Sequence, residues 1–489
     1  MSAELLARTE QRRVEALNSI GRDKLDEAEQ FFTPIDVATL MADMLVTEKI
    51  TTDTVRLLDP GAGSGILSAA AVSKIAEVAP RARIEVVAVE KDIVVLPQLT
   101  ATLEDIIATY PQVTYQLFNM SFFDFGISQL NLLADGAEFV EPFDFCIQNP
   151  PYAKLAAKSA ESLQLKSEGI HAPNLYAGFM AVAHKLLKDG GAMVSITPRS
   201  WYNGSYFSKF REFMFDDGCV SAVHTFDSRR EVFADTNVLQ ETIITRTGKR
   251  EAFPGEVTIS VSRSQAHDIA SRTVPWSSIL VSGVLFVPAT DKDADAVAWM
   301  NQNAGHQLGS LPFTVSTGRV VDFRSRDKLV TEPNDSTVPM IYPANFTTAS
   351  VNHPREGLMK SQWYVADGKE TDKMLVPPGS YVLIKRFSAK EEKRRITATV
   401  YSSDEYAAFD NKTNFFHAGG QGLDPDLAKG LELWLNSSRV DNFFRVFSGH
   451  TQVNAGDLKL MPYPSVAQLV ALAQTGLEPD LAVSEVFGD

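Results

Sequence analysis

Two short stretches of this chain hold residue types that could do chemistry. Asn149-Pro150-Pro151-Tyr152 sets two acceptors side by side, the Asn149 side-chain oxygen and the Pro150 carbonyl. An amino group on an aromatic ring, or an amide nitrogen, delocalises its lone pair and is a poor nucleophile. Two acceptors that each take one N–H would aim that lone pair at an electrophile and stabilise the positive charge developing on nitrogen. Prolines bring no N–H and stiffen the backbone, so the acceptors stay in place. Tyr152 adds a flat face on which a base could stack. The bland alternative is a proline-stiffened loop. Average residue usage, however, produces Asn-Pro-Pro-aromatic by chance in roughly one chain in a few hundred of this length.

The second stretch is Asp59-Pro60-Gly61-Ala62-Gly63-Ser64-Gly65, between an apolar run and a helical pattern. Glycines there permit sharp turning and close backbone approach to a ligand, with helix-start N–H groups pointing at it. Glu90 ends the next apolar run, 25 residues beyond Gly65, where an acid typically holds ribose hydroxyls. Together they point to a nucleoside cofactor; a structural turn or a dinucleotide site is the alternative. No Lys-Ser/Thr pair follows the loop, which argues against an ATP phosphate loop.

These stretches need a scaffold. Residues 1–30 read as a leading helix, and Thr33 as the N-cap of a helix from Pro34 to about Val46. Val55–Leu58, Ile84–Val89, Val113–Phe118, Phe143–Ile147 and Ala192–Thr197 predict strands. Helical patterns at Ile66–Ala79, Ile93–Ala108 and Leu175–Leu187 alternate with them, and another lies near Tyr206–Phe215. That alternation implies an α/β fold with a doubly wound, mainly parallel sheet. Val220–Thr225 and Leu239–Thr245 have no helix between them, which predicts an antiparallel hairpin at the sheet edge. After Arg250 short β-like runs such as Glu256–Val261 and Ser380–Ile384 sit among loops, and helical signal returns at Asp426–Leu435 and Val466–Leu472. The expected division is an N-terminal helical segment (1–30), a catalytic domain (31–250) and a second domain (251–489).

At 489 residues the chain suits two cores, and 44% apolar residues can build them. Two cysteines, Cys146 and Cys219, exclude a disulfide scaffold and fit a reducing, cytoplasmic setting. No signal peptide, membrane span or metal-ligand spacing stands out. The net charge of −15 argues against a nucleic-acid partner, but binding depends on one face. Residues 51–150 hold 5 Lys/Arg and 13 Asp/Glu, residues 151–250 hold 13 and 10, and the sign changes at the Asn149 tetrapeptide. Lys385, Arg386, Lys390, Lys393, Arg394 and Arg395 form a second basic cluster, diluted by Glu391 and Glu392. It is either a solvated face or a phosphate contact.

With these motifs in this order, the sequence resembles the gamma group of DNA adenine-N6 methyltransferases, TaqI-type enzymes and modification methylases of restriction systems. The resemblance implies a seven-stranded, Rossmann-like S-adenosylmethionine (SAM) domain and a C-terminal mixed α/β target-recognition domain. It implies catalysis by Asn149, Pro150, Pro151 and Tyr152. Cofactor contacts would come from Phe32, Thr33, Pro34, Asp59, Gly61, Ala62, Gly63, Glu90, Lys91, Ser121, Phe122 and Asn149. Phe233, within Phe226–Phe233, matches a second aromatic that stacks with Tyr152 on an extruded base. Ile196–Trp201, Val238–Glu241 and Ser448–Asn454 also look like family segments. One departure is Ser121, where the family usually has Asp; Asp124 is the candidate substitute.

The implied function is site-specific adenine-N6 methylation of double-stranded DNA, protecting host DNA. The protein would act as a cytoplasmic monomer, with a separately encoded cognate endonuclease as a further partner and no membrane or metal. DNA contacts are expected from Arg319, Lys393, Arg394 and Arg395. A protein-glutamine or RNA methyltransferase remains as a rival, against which the long C-terminal region argues. So does a non-catalytic DNA-binding subunit, against which the intact tetrapeptide argues.

Overall fold

The computed structural model describes residues 2–20, 32–47, 49–135, 141–226, 242–249, 255–262, 269–281, 283–348, 350–388, 392–448 and 452–488. The chain forms two compact units, Met1–Tyr202 with Tyr206–Ala289, and Asn203–Ser205 with Thr290–Asp489.

The first unit is built on β1 (Thr54–Pro60), β2 (Arg83–Val89), β3 (Val113–Phe118), β4 (Phe143–Gln148), β5 (Leu187–Pro198), β6 (Gly218–Phe226), β7 (Thr242–Lys249), β8 (Glu256–Ser262) and β9 (Ala270–Pro275). Its sheet runs β3-β2-β1-β4-β5-β7-β6-β8-β9. The first five strands are parallel; β7 is antiparallel to both β5 and β6. Side chains alternate between faces. Leu57, Val86, Ile147 and Val194 join one core, and Leu58, Val87, Cys146 and Met193 the other. Because helices cover both faces, the strands read as continuous apolar runs. Helices α1 (Ser2–Ile20), α2 (Ile35–Leu45), α3 (Ile66–Val78) and α4 (Leu96–Thr109) supply one core. Helices α5 (Phe122–Ala134), α6 (Ala160–Ser167), α7 (Leu175–Leu186) and α8 (Ser208–Asp216) supply the other. Asp105 on α4 takes Arg8 and Arg12 of α1 at 2.9 and 2.5 Å, which docks the leading helix.

Three expectations change. The sheet has nine strands among the described residues, because β8 pairs with β6 and β9 with β8. The β6–β7 pair is antiparallel as expected, but β7 enters between β5 and β6, so the pair is interior and not an edge. For the same reason the first unit runs to Ala289, beyond the boundary expected near Arg250. Residues 227–241 lie outside the described residues, and with them Phe233 and Val238–Glu241.

The second unit contains a four-stranded antiparallel sheet ordered Thr314–Thr317, Thr413–His417, Gly379–Lys385, Ala398–Ser403. A five-stranded sheet includes Trp363–Val365, Thr337–Ile341 and Ala407–Phe409. Helix Pro425–Leu435 packs on helix Val466–Thr475 through Gly430, where any Cβ would collide with the Leu469 carbonyl. Among the described residues no helix is long and apolar enough to cross a membrane.

Candidate active site

In a parallel sheet a crevice opens where strand order reverses, at the carboxyl ends. Here β1 is followed outward by β2 and β3, and the chain returns to β4 on the other side of β1. The crevice there is lined by Gly61–Ser64 after β1, Glu90 and Lys91 after β2, Met120–Phe122 after β3, and Asn149 and Pro151 after β4. It encloses about 1080 Å³ of empty space, part of it open to solvent.

The glycine loop bends because Gly61, Gly63 and Gly65 have φ of 71°, 57° and 85°. The Gly61 and Ala62 N–H groups donate to the Val89 carbonyl at 2.8 and 3.1 Å, which ties the loop to the end of β2. Phe32 packs its ring where a Cβ on Gly63 would stand. Glu90 is 6% exposed. Its Oε2 accepts the Gly63 N–H at 2.9 Å and its Oε1 the Asp92 N–H at 2.8 Å. Each carboxylate oxygen has a second lone pair, so Glu90 can shape the loop and still receive hydroxyls. Burial raises its pKa above the usual carboxylate range, opposed by these N–H donors.

Asp59 does not line the crevice, contrary to expectation. It is fully buried beneath the loop, where Oδ2 accepts the Ser68 N–H at 3.1 Å and the Ser68 hydroxyl at 2.6 Å. Burial pushes its carboxyl up to about 7. Its place at the end of β1 turns it under α3, so it positions the loop.

Asn149 follows β4 directly. The residue before it, Gln148, is buried and donates to Ser195 Oγ on β5 at 2.9 Å, which anchors the turn. Asn149 Nδ2 donates to Thr33 Oγ1 at 3.0 Å. Thr33 therefore spends its hydroxyl on the tetrapeptide, and Pro34 is the N-cap of α2, one residue later than expected. Thr33 lines the crevice with Phe32; Pro34 and Pro150 do not. Tyr152 is 4% exposed, edge-to-face with Tyr176 at 6.2 Å, with its hydroxyl 3.4 Å from the Ile196 carbonyl. Burial pushes that hydroxyl's pKa up. The expected stacking face is thus covered in this structure.

Ser121 caps α5, its Oγ accepting the Phe123 N–H at 3.3 Å. Asp124, the expected substitute for an acid there, instead takes Gln164 at 3.3 Å and lies off the crevice. Glu161 at the start of α6 lines the rim instead. Other lining residues that sequence reasoning missed include Ile20, Val95, Leu175 and Phe179. Phe179 stacks obliquely on Phe122 at 4.9 Å and covers Gly61. Leu175 and Phe179 stand four apart on a helix, a spacing that looks the same for a core stripe and for a crevice wall.

In the second unit the expected DNA contacts divide. Arg395 is 1% exposed, with its guanidinium 5.5 Å from the Phe444 ring, and its backbone N–H donates to Asp441 Oδ1 at 2.6 Å. It is a core residue, not a surface cation, because the helix Ser438–Phe447 closes over it. Arg394 is half-buried and donates to the Asn436 carbonyl. Lys393 is exposed. Arg319 Nη1 donates to the Lys373 and Leu375 carbonyls, both at 2.9 Å.

The Eco57I restriction-modification methylase family matches residues 99–233. The chain is 34% identical over 464 residues to the type II methyltransferase M.BsuBI of Bacillus subtilis, covering 92% of this chain and 90% of the relative. It is 37% identical over 481 residues to the type II methyltransferase M.PstI of Providencia stuartii, covering 94% and 92%. Among solved structures, the type IIL restriction-modification enzyme MmeI in complex with DNA shares the fold at TM-score 0.55 and 11% identity, over 100% of this chain and 74% of that one. The chain spans 61% of the type IIG restriction endonuclease BpuSI, and 94% of this chain is covered, at TM-score 0.46 and 14% identity.

Proposed function

The chain belongs to the type II methyltransferases of restriction–modification systems, and we propose that it methylates the exocyclic N6 of adenine in double-stranded DNA. Its cofactor is S-adenosylmethionine, which supplies a sulfonium-bound methyl group. The residues present suit that cofactor. Glu90 can accept ribose hydroxyls, Phe122 and Met120 offer an apolar wall for the adenine ring, and Phe32 and Thr33 stand beside Asn149.

The observation that carries the reading is the Asn149–Thr33 hydrogen bond at the crevice. Donation by Nδ2 leaves Oδ1 as the end of the amide that can accept. Oδ1 and the Pro150 carbonyl would each take one N–H of the target amine, raising the nitrogen's nucleophilicity without a metal or a covalent intermediate. An amine paired inside a duplex cannot reach them, so the adenine is extruded at a cost of about a few kcal/mol. Tyr152 then receives the base once its ring is uncovered, and Phe233 is its second stacking partner. Thr290–Asp489 selects the sequence. A separately encoded endonuclease of the same specificity would make the modification protective.

Purified protein incubated with labelled SAM and unmethylated duplex DNA should place label on adenine N6. Label found only in cytosine, RNA or protein would refute the assignment.

A further inference from the structure

The sequence singled out Arg319 as a base or phosphate contact, but its guanidinium holds the Lys373 and Leu375 carbonyls. The turn just after Arg319 offers a better contact surface. Val320 is fully buried, its N–H on the Phe409 carbonyl at 3.1 Å, so the stem of this turn is anchored in the second unit's core. Three residues on, Phe323 is 60% exposed. The Arg324 guanidinium lies 5.4 Å from its ring centroid, and Arg324 and Arg326 are both exposed.

We propose that this turn is a duplex-DNA contact in which Phe323 inserts as an apolar wedge at a base step while Arg324 and Arg326 hold neighbouring phosphates. The inference rests on the DNA-methyltransferase reading above and names the part of the second unit that would grip the duplex.

Three observations favour DNA as the occupant. The first is charge. In a chain of net charge −15, Arg319–Lys328 holds four basic and two acidic residues. One of those acids, Asp322, is answered by Lys360 at 2.7 Å and Lys412 at 3.8 Å, and one of the bases, Lys328, by Asp367 at 2.7 Å, so the exposed tip keeps Arg324 and Arg326 against Asp327. The second is stiffness. The Phe323 N–H donates to Asp322 Oδ1 at 2.7 Å, and the Arg324 and Ser325 N–H groups to the Val321 carbonyl at 2.9 and 3.1 Å. A preorganised tip loses little entropy when it binds. The third is chemistry. A single exposed aromatic is ordinary on a protein surface, but one flanked by exposed arginines matches groove binders that unstack a base step and neutralise the adjoining phosphates. Met359, 99% exposed, precedes Lys360, whose ammonium holds Asp322 of this turn.

Fluorescence anisotropy with a labelled mixed-sequence duplex, across a salt series, tests this on the full chain. Arg324→Ala with Arg326→Ala should flatten the slope of log affinity against log salt by about 2. Phe323→Ala should weaken binding by roughly tenfold with little change in that slope. SAM affinity by calorimetry should match wild type in all variants. Hydroxyl-radical oxidation of the wild-type chain is the second measurement, independent of any variant. Duplex DNA should protect Phe323 and Met359 severalfold. Unaltered binding and slope in the variants, or no protection, would overturn the inference. So would protection that rises with protein concentration alone, which marks contact between copies. If wild-type protein places no methyl group on DNA, the underlying functional reading fails instead.

Discussion

Asn149 Nδ2 and Thr33 Oγ1 meet at 3.0 Å although 116 positions separate them. The bond joins the start of α2 to the end of β4. It sets the rotation of the amide that the proposed chemistry uses. Thr33→Val keeps the shape and removes the acceptor. Misplacing a reacting partner by about 1 Å costs on the order of 10²-fold in rate, so kcat should fall by about that factor while DNA affinity holds. Single-turnover methylation of duplex DNA measures this, and a near-normal rate would detach Thr33 from the reaction. Asn149→Ala should lose turnover altogether and still bind DNA.

Glu90 tests the cofactor end. Glu90→Gln keeps the size but gives up the charge that would receive ribose hydroxyls. Hydrogen bonds to charged groups contribute about 1.5–3 kcal/mol, so SAM should bind about 10- to 100-fold more weakly by calorimetry. Unchanged affinity would remove Glu90 from the site.

The Asp59 carboxyl titrates near 7 in the folded chain, against an ordinary value of 3.8. Between those values the folded state holds the extra proton. The stabilisation is therefore complete below about 3.8, declines as pH rises and is lost above about 7. Asp59→Asn has no proton to lose and can still accept from Ser68. Its urea midpoint should vary less than that of wild type between about pH 5 and 7.5. Parallel curves for the two proteins would rule out Asp59 as the titrating group.

Gly65 opens α3 in the left-handed region, at φ 85°, with Thr102 Cγ2 2.9 Å from where a Cβ would stand. Gly65→Ala should destabilise the first unit by about 1–3 kcal/mol and weaken SAM binding through the displaced loop. Chemical denaturation with and without SAM separates the two effects.

Arg395 separates a structural role from a DNA-binding one. As a core residue, its replacement by Ala should cost about 2–5 kcal/mol of stability and leave the salt dependence of DNA binding unaltered. Lys393→Ala, at an exposed position, should leave stability within about 0.5 kcal/mol. A flatter salt slope in an equally stable Arg395→Ala protein would reverse the assignment.

The sequence by itself determined the local features of this protein. Glycines at 61, 63 and 65 force a turn wherever the neighbouring strand lies, and Asn149–Tyr152 follows a run that is apolar because both its faces are covered. The turn at the glycines and the place of the tetrapeptide after a buried strand could be read because each depends on residues adjacent in the chain. Tertiary structure alone decided what depends on distant partners. Strand β7 enters between β5 and β6, and β8 and β9 extend the sheet past the break in helical rhythm at Arg250, since strand pairing carries no sequence mark of which neighbour it will choose. Phe179 becomes a crevice wall, Asp59 goes under the loop and Arg395 enters a core. Burial of a side chain is set by elements that arrive from tens or hundreds of residues away. Composition and spacing around that side chain are the same whether those elements cover it or leave it to water.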